Sequence, residues 1–422
     1  MLDIKFIRQN PQAVRDGSRK KGVKVEIDKL LKVDKKRRKI ILAIEDIAAK
    51  KNNSSRKISQ TKNKKEKKKL ILEMRKIDTN SDRLNKDLKK LSVEFNDLMY
   101  QIPNLPEDDV PFGKNEKDNV VLKKWGKKLK FGFKPKDSLE IGENLDLIDV
   151  KRAAKVSGTR FGYIKKEAAL IEFALINLAF DTLSKEGFIP IVPPVFIKEE
   201  AMRAMGYINN KEDLAERYFF KKDKLFLVGT SEQSIGPIHQ DEIFKEKDLP
   251  QRYVAFSSCF RREAGSYGKD TRGILRVHQF DKVEMFSFAH PKQSKEEYKF
   301  LLSIEEKLMQ QLKIPYQVVQ MCTGDLGNPV AAKYDIEAWL PSQNKYRETH
   351  SASNTTDFQT RRLNIRYRNS KTKKLDFVHT LNGTTFAIGR MLIAIIENYQ
   401  QKDGSVKIPE ALQKYLNFQK IG

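Results

Sequence analysis

Apolar side chains recur every three or four residues through much of the first hundred positions. Between 70 and 98 one set recurs every seven residues and a second set lies between its members. These two sets are Leu70, Ile77, Leu84, Leu91 and Leu98, and Met74, Ser81, Leu88 and Phe95. An earlier segment repeats the spacing at Leu30, Val33, Ile40, Ile44, Ile47 and Ile58. Such positions form the seam of a coiled coil, so the pattern predicts a helical hairpin over 26–100 with its turn near 61–66.

A second pattern marks a long β-hairpin in the middle of the chain. Two runs rich in aromatic and β-branched residues, 253–260 and 274–286, flank a polar loop that contains Gly265, Gly268 and Gly273. Strand-like runs on both sides of a glycine-bearing loop are typical of paired antiparallel strands. The pattern therefore predicts a hairpin with charged residues at the end of its first strand.

Other segments supply further helices and strands. Residues 169–188 have the apolar period of a helix that ends at Gly187 and runs into a strand with Pro194. A proline-rich stretch at 101–117 ends the second hairpin helix and forms a linker. The remaining predictions are a short mixed opening at 1–25, strands at 119–125, 316–321 and 333–340, and an amphipathic helix at 293–312.

Positive charge is concentrated at the start of the chain. The net charge is +26, and residues 1–100 contribute 30 Lys+Arg against 14 Asp+Glu. Lysine is abundant throughout, but this abundance does not explain the asymmetry. One cluster surrounds the predicted turn: Lys57, Lys62, Lys64, Lys65, Lys67, Lys68 and Lys69. We therefore expect the hairpin to face a polyanion; a structural or dimerising coiled coil is the alternative.

Cysteine usage and hydropathy exclude several classes of protein. Only Cys259 and Cys322 are present, which excludes a disulfide framework and a four-cysteine zinc site. No apolar run approaches the ~18 residues of a membrane span, and the opening includes Asp3 and lacks an apolar signal region. We expect a cytoplasmic protein that does not cross a membrane.

The charged residues of the β-hairpin suit a nucleotide. Arg261 presents a planar guanidinium to phosphate oxygens, Glu263 can accept hydrogen bonds from an amine, and Phe280 offers a flat face to a base. A surface hairpin with solvated charges is the alternative for these residue types alone. The whole string FRREAGSYGKDTRGILRVHQFDKVEMF, however, resembles motif 2 of the class II aminoacyl-tRNA synthetases, and its wording is similar to that of the seryl-tRNA synthetases.

This resemblance implies roles for the residues of the hairpin. Arg261 would hold the α-phosphate of ATP, while Glu263 and the strand 277–280 would hold adenosine. The ATP-binding residues implied here are Arg261, Arg262, Glu263, Val277, His278, Gln279 and Phe280.

Residues 225–235, LFLVGTSEQSI, resemble the serine-binding T-x-E stretch of the same family. On an extended chain the i, i+2 spacing of Thr230 and Glu232 would turn both side chains toward one pocket. Glu232 would neutralise the α-ammonium group, and Glu284 is a candidate for the ammonium or hydroxyl group of serine. The implied serine-binding residues are Thr230, Ser231, Glu232, Arg261, Glu284 and Thr384.

Residues 346–368 resemble the family's E-x-x-S strand and the signature after it. Glu348 and Ser351 supply hard oxygen donors, which suit Mg²⁺ beside the phosphates of ATP. The implied ATP-binding set extends over Glu348, Thr349, His350 and Ser351, with His350 interpreted as a packing residue. Nothing in the sequence has zinc-site spacing.

Residues 379–400 resemble motif 3, a strand followed by Gly-x-Arg at the start of a helix. Arg390 would lie over adenine opposite Phe280 and reach phosphate; a solvated arginine at a helix end is the alternative. Thr384 stands where the family usually has serine, and it keeps the hydroxyl group. The residues assigned to catalysis are Arg261, Glu348 and Arg390.

Two more stretches extend the resemblance over nearly the whole chain. The opening MLDIKFIRQNPQAVRDG resembles that of bacterial seryl-tRNA synthetases, and the helix and strand from 169 to 196 resemble motif 1, the dimer interface of class II synthetases. The family implies an α+β fold, with an antiparallel sheet of six or seven strands flanked by helices and preceded by a long helical hairpin. We expect a tRNA-binding arm at 1–103, a catalytic domain at 104–422 and a homodimer.

The function that this resemblance implies is a serine–tRNA ligase. It would use ATP and Mg²⁺ to form seryl-adenylate and then acylate tRNA(Ser), with tRNA(Sec) as a second candidate acceptor. In the family the arm grips the long variable arm of the tRNA by backbone and shape. The alternatives are a non-catalytic synthetase-like RNA-binding or regulatory protein, and a serine-activating enzyme that loads a carrier protein. The motif residues argue against the first, and the arm argues against the second.

Overall fold

A computed structural model describes residues 1–210, 212–264, 270 and 272–422. Gly265 and Gly268 of the predicted hairpin loop lie outside the described residues. The described chain divides into two compact units, one comprising 3–18 and 23–102, the other comprising 1–2, 19–22 and 103–422.

The helices are α1 Ile4–Gln9, α2 Pro11–Lys20, α3 Ile27–Gln60, α4 Lys64–Gln101, α5 Ser138–Asn144, α6 Val150–Ser157, α7 Lys166–Lys185, α8 Glu199–Ala204, α9 Glu232–Ile235, α10 Ser294–Gln311, α11 Phe358–Leu363, α12 Ile388–Tyr399 and α13 Glu410–Gln413. The strands are β1 Val120–Trp125, β2 Ile148–Asp149, β3 Tyr163–Ile164, β4 Ile189–Ile191, β5 Phe196–Lys198, β6 Phe219–Phe220, β7 Leu225–Leu227, β8 Ile243–Lys245, β9 Gln251–Phe260, β10 Gln279–Ala289, β11 Tyr316–Gln320, β12 Ala332–Leu340, β13 Lys345–Asn354, β14 Arg366–Arg368, β15 Leu375–Phe377, β16 His379–Ala387, β17 Val406–Lys407 and β18 Lys420–Ile421.

The smaller unit confirms the predicted helical hairpin. Its helices α3 and α4 contain 34 and 38 residues, so each extends for about 50 Å. The turn covers only 61–63, because the side chain of Asn63 caps α4 by accepting hydrogen bonds from the backbone N–H groups of Lys65 and Glu66. The mixed opening expected at 1–25 instead contains the helices α1 and α2.

Polar contacts across the hairpin fix the register of its two helices. Arg37 Nε donates to Ser92 Oγ at 3.3 Å, and the Arg37 guanidinium lies 5.0 Å from the centroid of the Phe95 ring. Closer to the tip, Lys51 forms an ion pair with Asp78. Residue 37 thus lies opposite 92 and residue 51 opposite 78, so the register is constant along the arm.

The larger unit is built on a sheet that is antiparallel except at one edge. Among the described residues the strand order is β1-β11-β12-β13-β16-β10-β9-β4, and β4 alone runs parallel to its neighbour. The sheet has eight strands rather than the expected six or seven, because short segments add a strand at each edge. The predicted α+β class is confirmed.

Helices α7, α10 and α12 contribute to the main apolar core that packs on this sheet. Leu175, Leu301 and Leu392, one from each helix, are fully buried in a single cluster, and burial of a leucine side chain contributes about 1.5–3 kcal/mol. Gly383 of β16 faces α10, since a Cβ atom there would lie 3.6 Å from Leu301 Cβ. The next residue, Thr384, therefore points to the opposite face of the sheet.

The second strand of the long hairpin begins later than predicted, at Gln279 instead of residue 274. The apolar residues Ile274 and Val277 are buried in the main core rather than paired in the hairpin. The backbone N–H of His278 donates to the carbonyl of Arg160 at 2.9 Å. An apolar run that enters the core from a loop resembles a strand in sequence, which explains the wrong boundary.

None of the helices in the described ranges combines the length and the apolar composition that crossing a membrane requires.

Candidate active site

One face of the sheet gathers the charged residues of three distant segments. Glu284 of β10 is the cross-strand partner of Thr384 of β16, and β13 pairs along the other side of β16. A cavity lies over this face, between the end of β9 and the start of α12. Its lining residues are Arg261, Glu263, Ile274, Leu275, Arg276, Val277, Phe280, Lys282, Glu348, Thr349, Thr384, Ala387, Gly389 and Arg390.

Arg261 follows β9 directly and reaches across the cavity. Its Nε donates to the carbonyl oxygen of Gly229 at 3.1 Å. Its guanidinium lies 5.2 Å from the centroid of the Phe280 ring, an arrangement that favours a cation over an aromatic face. Arg261, rather than Arg390, lies over Phe280 in this structure.

Arg390 and Glu348 form the opposite wall of the cavity. Arg390 Nη1 donates to the backbone carbonyl of Glu348 at 2.9 Å and lies 3.2 Å from Glu348 Oε2. Desolvation opposes ionisation of this carboxyl, but Arg390 and Lys333 beside it lower the pKa of Glu348 to about 2. The strand register shifts at this point, between Ile336 and Glu337 of the neighbouring strand. Such a bulge re-aims side chains.

The residues expected to bind serine form a buried charged cluster beside this wall. Thr230 Oγ1 donates to Glu284 Oε2 at 3.3 Å, and Lys282 forms an ion pair with Glu284. Lys282 Nζ also donates to Thr230 Oγ1 at 3.4 Å. Burial and the nearby Glu284 raise the pKa of Glu232 to about 8. The cluster therefore holds two carboxyl groups and one lysine, which is paired with Glu284, so it suits a small cationic group beside Glu232.

The chain is not extended through Thr230 and Glu232, contrary to the sequence-based expectation. β7 ends at Leu227, Ser231 has φ −62° and ψ −21°, and Glu232 begins α9. The two side chains still belong to one cluster, because Thr230 Oγ1 donates to Glu284 and the charges of Glu284 and Lys282 act on the pKa of Glu232. Ser231 is fully buried, and its hydroxyl has no partner within the described residues.

The two predicted Mg²⁺ ligands, Glu348 and Ser351, lie beside an acidic residue that the sequence analysis missed. Ser351 hydrogen-bonds to Asp335, and Asp335 pairs with Lys333 at 3.2 Å. Burial raises the pKa of Asp335 to about 7, and Glu348 acts in the same direction while Lys333 opposes it. No three His, Cys, Asp or Glu side chains form a metal-binding group in the described part of the chain.

Five predicted ATP-binding residues are absent from the lining of this cavity: Arg262, His278, Gln279, His350 and Ser351. The Arg262 guanidinium lies 6.0 Å from the centroid of the Tyr218 ring. His278 Nδ1 lies 3.0 Å from the backbone oxygen of Arg261. Gln279 is exposed and lines an adjoining cavity, so these residues contribute backbone or surroundings rather than cavity-lining side chains.

His350 is buried behind the cavity. Its Nδ1 lies 2.8 Å from Thr349 Oγ1, and its ring contacts the ring of Phe386. Burial lowers the pKa of His350 to about 3, so the imidazole is neutral at physiological pH.

Two cations of the cavity were not anticipated. Arg276 Nη1 pairs with Glu263 Oε2 at 2.6 Å, which fixes the carboxylate expected to accept from an amine. Lys282 lies on β10 between Phe280 and Glu284 at a spacing of two residues on either side. Strand alternation alone places these three side chains on one face, so the sequence carried a signal for Lys282.

Comparisons with known proteins agree over the whole length of the chain. The model described as tRNA synthetase class II core domain (G, H, P, S and T) matches residues 218–399, and the model described as seryl-tRNA synthetase N-terminal domain matches residues 1–106. The serine–tRNA ligase of Thermodesulfovibrio yellowstonii is 41% identical over 425 residues and 100% of both chains. That of Dictyoglomus turgidum is 42% identical, covering 100% of this chain and 99% of its own.

The chain belongs to the seryl-tRNA synthetase family. It is accordingly an aminoacyl-tRNA ligase that uses ATP.

Solved structures of the family have the same fold as this chain. The seryl-tRNA synthetase of Pyrococcus horikoshii, crystallised with ATP, superposes with a TM-score of 0.91 at 39% identity, covering 100% of this chain and 99% of that one. The cytoplasmic serine–tRNA ligase of Naegleria fowleri, in complex with AMP, gives 0.86 at 33% identity, covering 100% and 98%.

The unusual ionisation of Glu232 gives a stability prediction. The folded state keeps a proton on this carboxyl up to a pKa of about 8, whereas the unfolded chain loses it at the ordinary glutamate pKa of 4.5. The stabilising contribution of that proton is lost as pH rises toward 8. Glu232→Gln cannot ionise, so its melting temperature relative to the wild type should rise by several degrees between pH 5.5 and 8.5.

The matched control is Glu200→Gln, a change at an exposed carboxyl. Its difference from the wild type should stay small across the same range. A melting-temperature difference for Glu232→Gln that is flat with pH would show that Glu232 titrates normally.

Proposed function

We propose that this ligase forms seryl-adenylate in the cavity bounded by Arg261, Phe280 and Arg390, and then transfers serine to the terminal ribose of tRNA(Ser). The observation that carries the proposal is the convergence of motif 2, the E-x-x-S strand and motif 3 on that one cavity. Serine's carboxylate attacks the α-phosphorus of ATP and releases pyrophosphate. The adenylate then acylates the tRNA.

Residues of this chain act by position and charge, and no enzyme nucleophile takes part. Arg261, fixed by its hydrogen bond to Gly229, holds the α-phosphate on which negative charge develops. Phe280 supports the base, and Glu263, held by Arg276, orients adenosine. Arg390 neutralises phosphate charge from the start of α12.

The cluster around Glu284 would receive serine. The ammonium group of serine would replace part of the positive charge that Lys282 provides to Glu284 and Glu232. Thr230 and Thr384 offer hydroxyl groups on the same side. A site that hydrogen-bonds a substrate hydroxyl rejects the analogue without one more strongly than an apolar pocket does. Alanine should therefore be a poor substrate.

Mg²⁺ fits this site only if the phosphate oxygens of the nucleotide supply further ligands. Glu348 is ionised and Ser351 offers a hydroxyl, which are the hard oxygen donors that Mg²⁺ accepts together with phosphates. Lys333 beside Asp335 disfavours a second cation there. When bound, the ion would neutralise phosphate charge, and Glu348 and Ser351 are the residues that would hold it.

The arm is proposed to bind the long variable arm of the tRNA. All seven lysines around its tip are exposed, which suits backbone contacts without base reading. We propose the tRNA-binding arm at 1–103 and the catalytic domain at 104–422, tRNA(Sec) as a second candidate acceptor, and a cytoplasmic location for the enzyme.

A homodimer through motif 1 is supported by exposed apolar side chains. α7 exposes Leu170 and Phe173, and the chain after it exposes Ile189, Val192 and Phe196. Val192 is 78% exposed. Several large apolar side chains exposed along two consecutive segments suit a protein–protein contact.

The non-catalytic and carrier-loading alternatives lose their support. Every charged residue that the proposal assigns to adenylation lies at the cavity or in the adjoining cluster, and the arm that a carrier-loading enzyme would be expected to lack is present.

Replacing Arg261 tests the phosphate site. Arg261→Ala should lower serine-dependent ATP–pyrophosphate exchange by about 10³-fold, the loss typical of removing a group that stabilises transition-state charge. The matched control is Arg262→Ala, because that side chain points toward Tyr218; it should change exchange only a few-fold. Near-normal exchange by Arg261→Ala would refute the assigned role.

Shortening the arm tests its role in tRNA binding. In the observed register residue 51 lies opposite 78 and residue 37 lies opposite 92. Residues 53–76 can therefore be replaced by Gly-Ser-Gly while these contacts between the two helices are kept. Exchange should remain normal, and aminoacylation of tRNA(Ser) should fall at least about 100-fold, because the phosphate contacts of the tip are removed. Charging at the wild-type rate would make the arm a structural element.

A further inference from the structure

A second concentration of positive charge lies outside the arm, in the larger unit. Residues 123–136 contain seven lysines and no acidic residue, whereas residues 101–422 together carry a net charge of only +10. This basic segment runs from the end of β1 toward α5, and all of its lysines are exposed: Lys123, Lys124, Lys127, Lys128, Lys130, Lys134 and Lys136. Unbalanced charge on one surface indicates a polyanion site.

Carboxylates of the protein neutralise only part of this segment. Lys123 pairs with Glu306 at 2.8 Å, and Lys136 pairs with Glu140 at 2.8 Å. Five others form no ion pair with any residue that the structure describes: Lys124, Lys127, Lys128, Lys130 and Lys134. Their ammonium groups are available to an external anion.

One end of the basic segment lies next to the wall of the candidate active site. Lys128 Nζ lies 3.5 Å from the centroid of the Trp339 ring, and Lys124 Nζ lies 5.7 Å from that of Tyr346. Tyr346 lines a cleft together with Glu348 and Arg390. The lysines are thus held beside the residues that bind phosphate in the proposed reaction.

The other end borders a cleft next to the cavity of the proposed reaction. Lys134 and Lys136 line a cleft of about 730 Å³ together with Arg272. Ile274 and Leu275 line both this cleft and the cavity over the sheet. Basic side chains therefore continue up to the mouth of the active site.

Acidic residues of the same cleft already have partners. Asp137 caps α5 by accepting from the N–H of Glu140 at 2.8 Å, and Asp270 pairs with Arg347. Glu397 accepts from the backbone N–H groups of Ser138 and Ser342. Asp270 is neutralised by Arg347, and among the described residues neither Asp137 nor Glu397 forms an ion pair with a lysine of the segment.

We propose that the basic segment binds the phosphate backbone of the tRNA acceptor stem as its 3′ end enters the active site. The inference rests on the proposed transfer to tRNA, which requires that end to reach the cavity. Lysines act as point charges toward phosphate and read no sequence. The segment begins at β1, the sheet edge opposite β4, so the proposed motif 1 dimer leaves it accessible.

The test combines four substitutions, Lys124→Gln, Lys127→Gln, Lys130→Gln and Lys134→Gln, in the full chain. The matched control changes four exposed lysines elsewhere: Lys371, Lys373, Lys374 and Lys402. The probe is an RNA minihelix of the acceptor stem with its single-stranded 3′ end and without a variable arm. Its Kd is measured against KCl concentration, beside exchange and aminoacylation of whole tRNA(Ser).

The quadruple variant should reduce the slope of log Kd against log[KCl] for the minihelix by about 3, since each phosphate contact contributes roughly 0.7–0.9. Its KM for tRNA(Ser) should rise about tenfold or more, exchange should stay within twofold of wild type, and the control should match the wild type in every assay. An unchanged slope, an equal loss in the control, or a loss with whole tRNA but not with the minihelix would each overturn the proposal. Failure of the proposed function itself would appear separately, as absent exchange or charging by the wild-type chain.

Discussion

Mutual neutralisation of charges over one face of the sheet, buried at Glu284 and part-exposed at Glu348, is the constraint on which this structure depends. Arg390 pairs with Glu348, and Lys282 pairs with Glu284. Removing a charge from water is costly unless the charge is paired. The central strands must therefore place side chains of opposite charge next to each other. Two features of the strands provide for this. Glu284 is aligned with Thr384 across β10 and β16, and β13 has a bulge beside Glu348. The strand register thereby fixes the electrostatics of the site.

The same pairs explain how the cavity can serve a polar substrate. In the proposed reaction a nucleotide would bring phosphate charge to Arg261 and Arg390, and an amino acid would bring an ammonium group to Glu284. Each ligand group replaces an interaction that the protein already makes, so little reorganisation is needed at the moment of reaction. Burial, and after it the charge of Glu284, raise the pKa of Glu232, so an incoming ammonium group would favour ionisation of this carboxyl.

The features that the sequence predicted well have local or periodic causes. The arm follows from a seven-residue repeat, and the hairpin of β9 and β10 follows from two strand-like runs around glycines. The features that were missed depend on contacts between distant segments. Ile274 looked like a strand residue because the pattern does not distinguish a buried loop from a buried strand.

Within the site, residue types were easier to predict than their partners. Arg261, Glu348 and Arg390 could be chosen by their chemistry, and the fold brings them to one cavity. That Arg261 lies over Phe280, that Ser351 meets Asp335 and that Glu232 begins a helix depend on the three-dimensional path of the chain. The alternation of side chains along a strand was enough to predict which face Lys282 lies on, and the same rule applies to similar sequences.

A crystal structure of the enzyme with a non-hydrolysable seryl-adenylate analogue tests the central claim most directly. The account predicts the phosphate between Arg261 and Arg390, the base against Phe280, and the seryl ammonium group within hydrogen-bond distance of Glu232 or Glu284. An analogue bound with its phosphate away from both arginines, or with its amino group outside the Glu284 cluster, would contradict it.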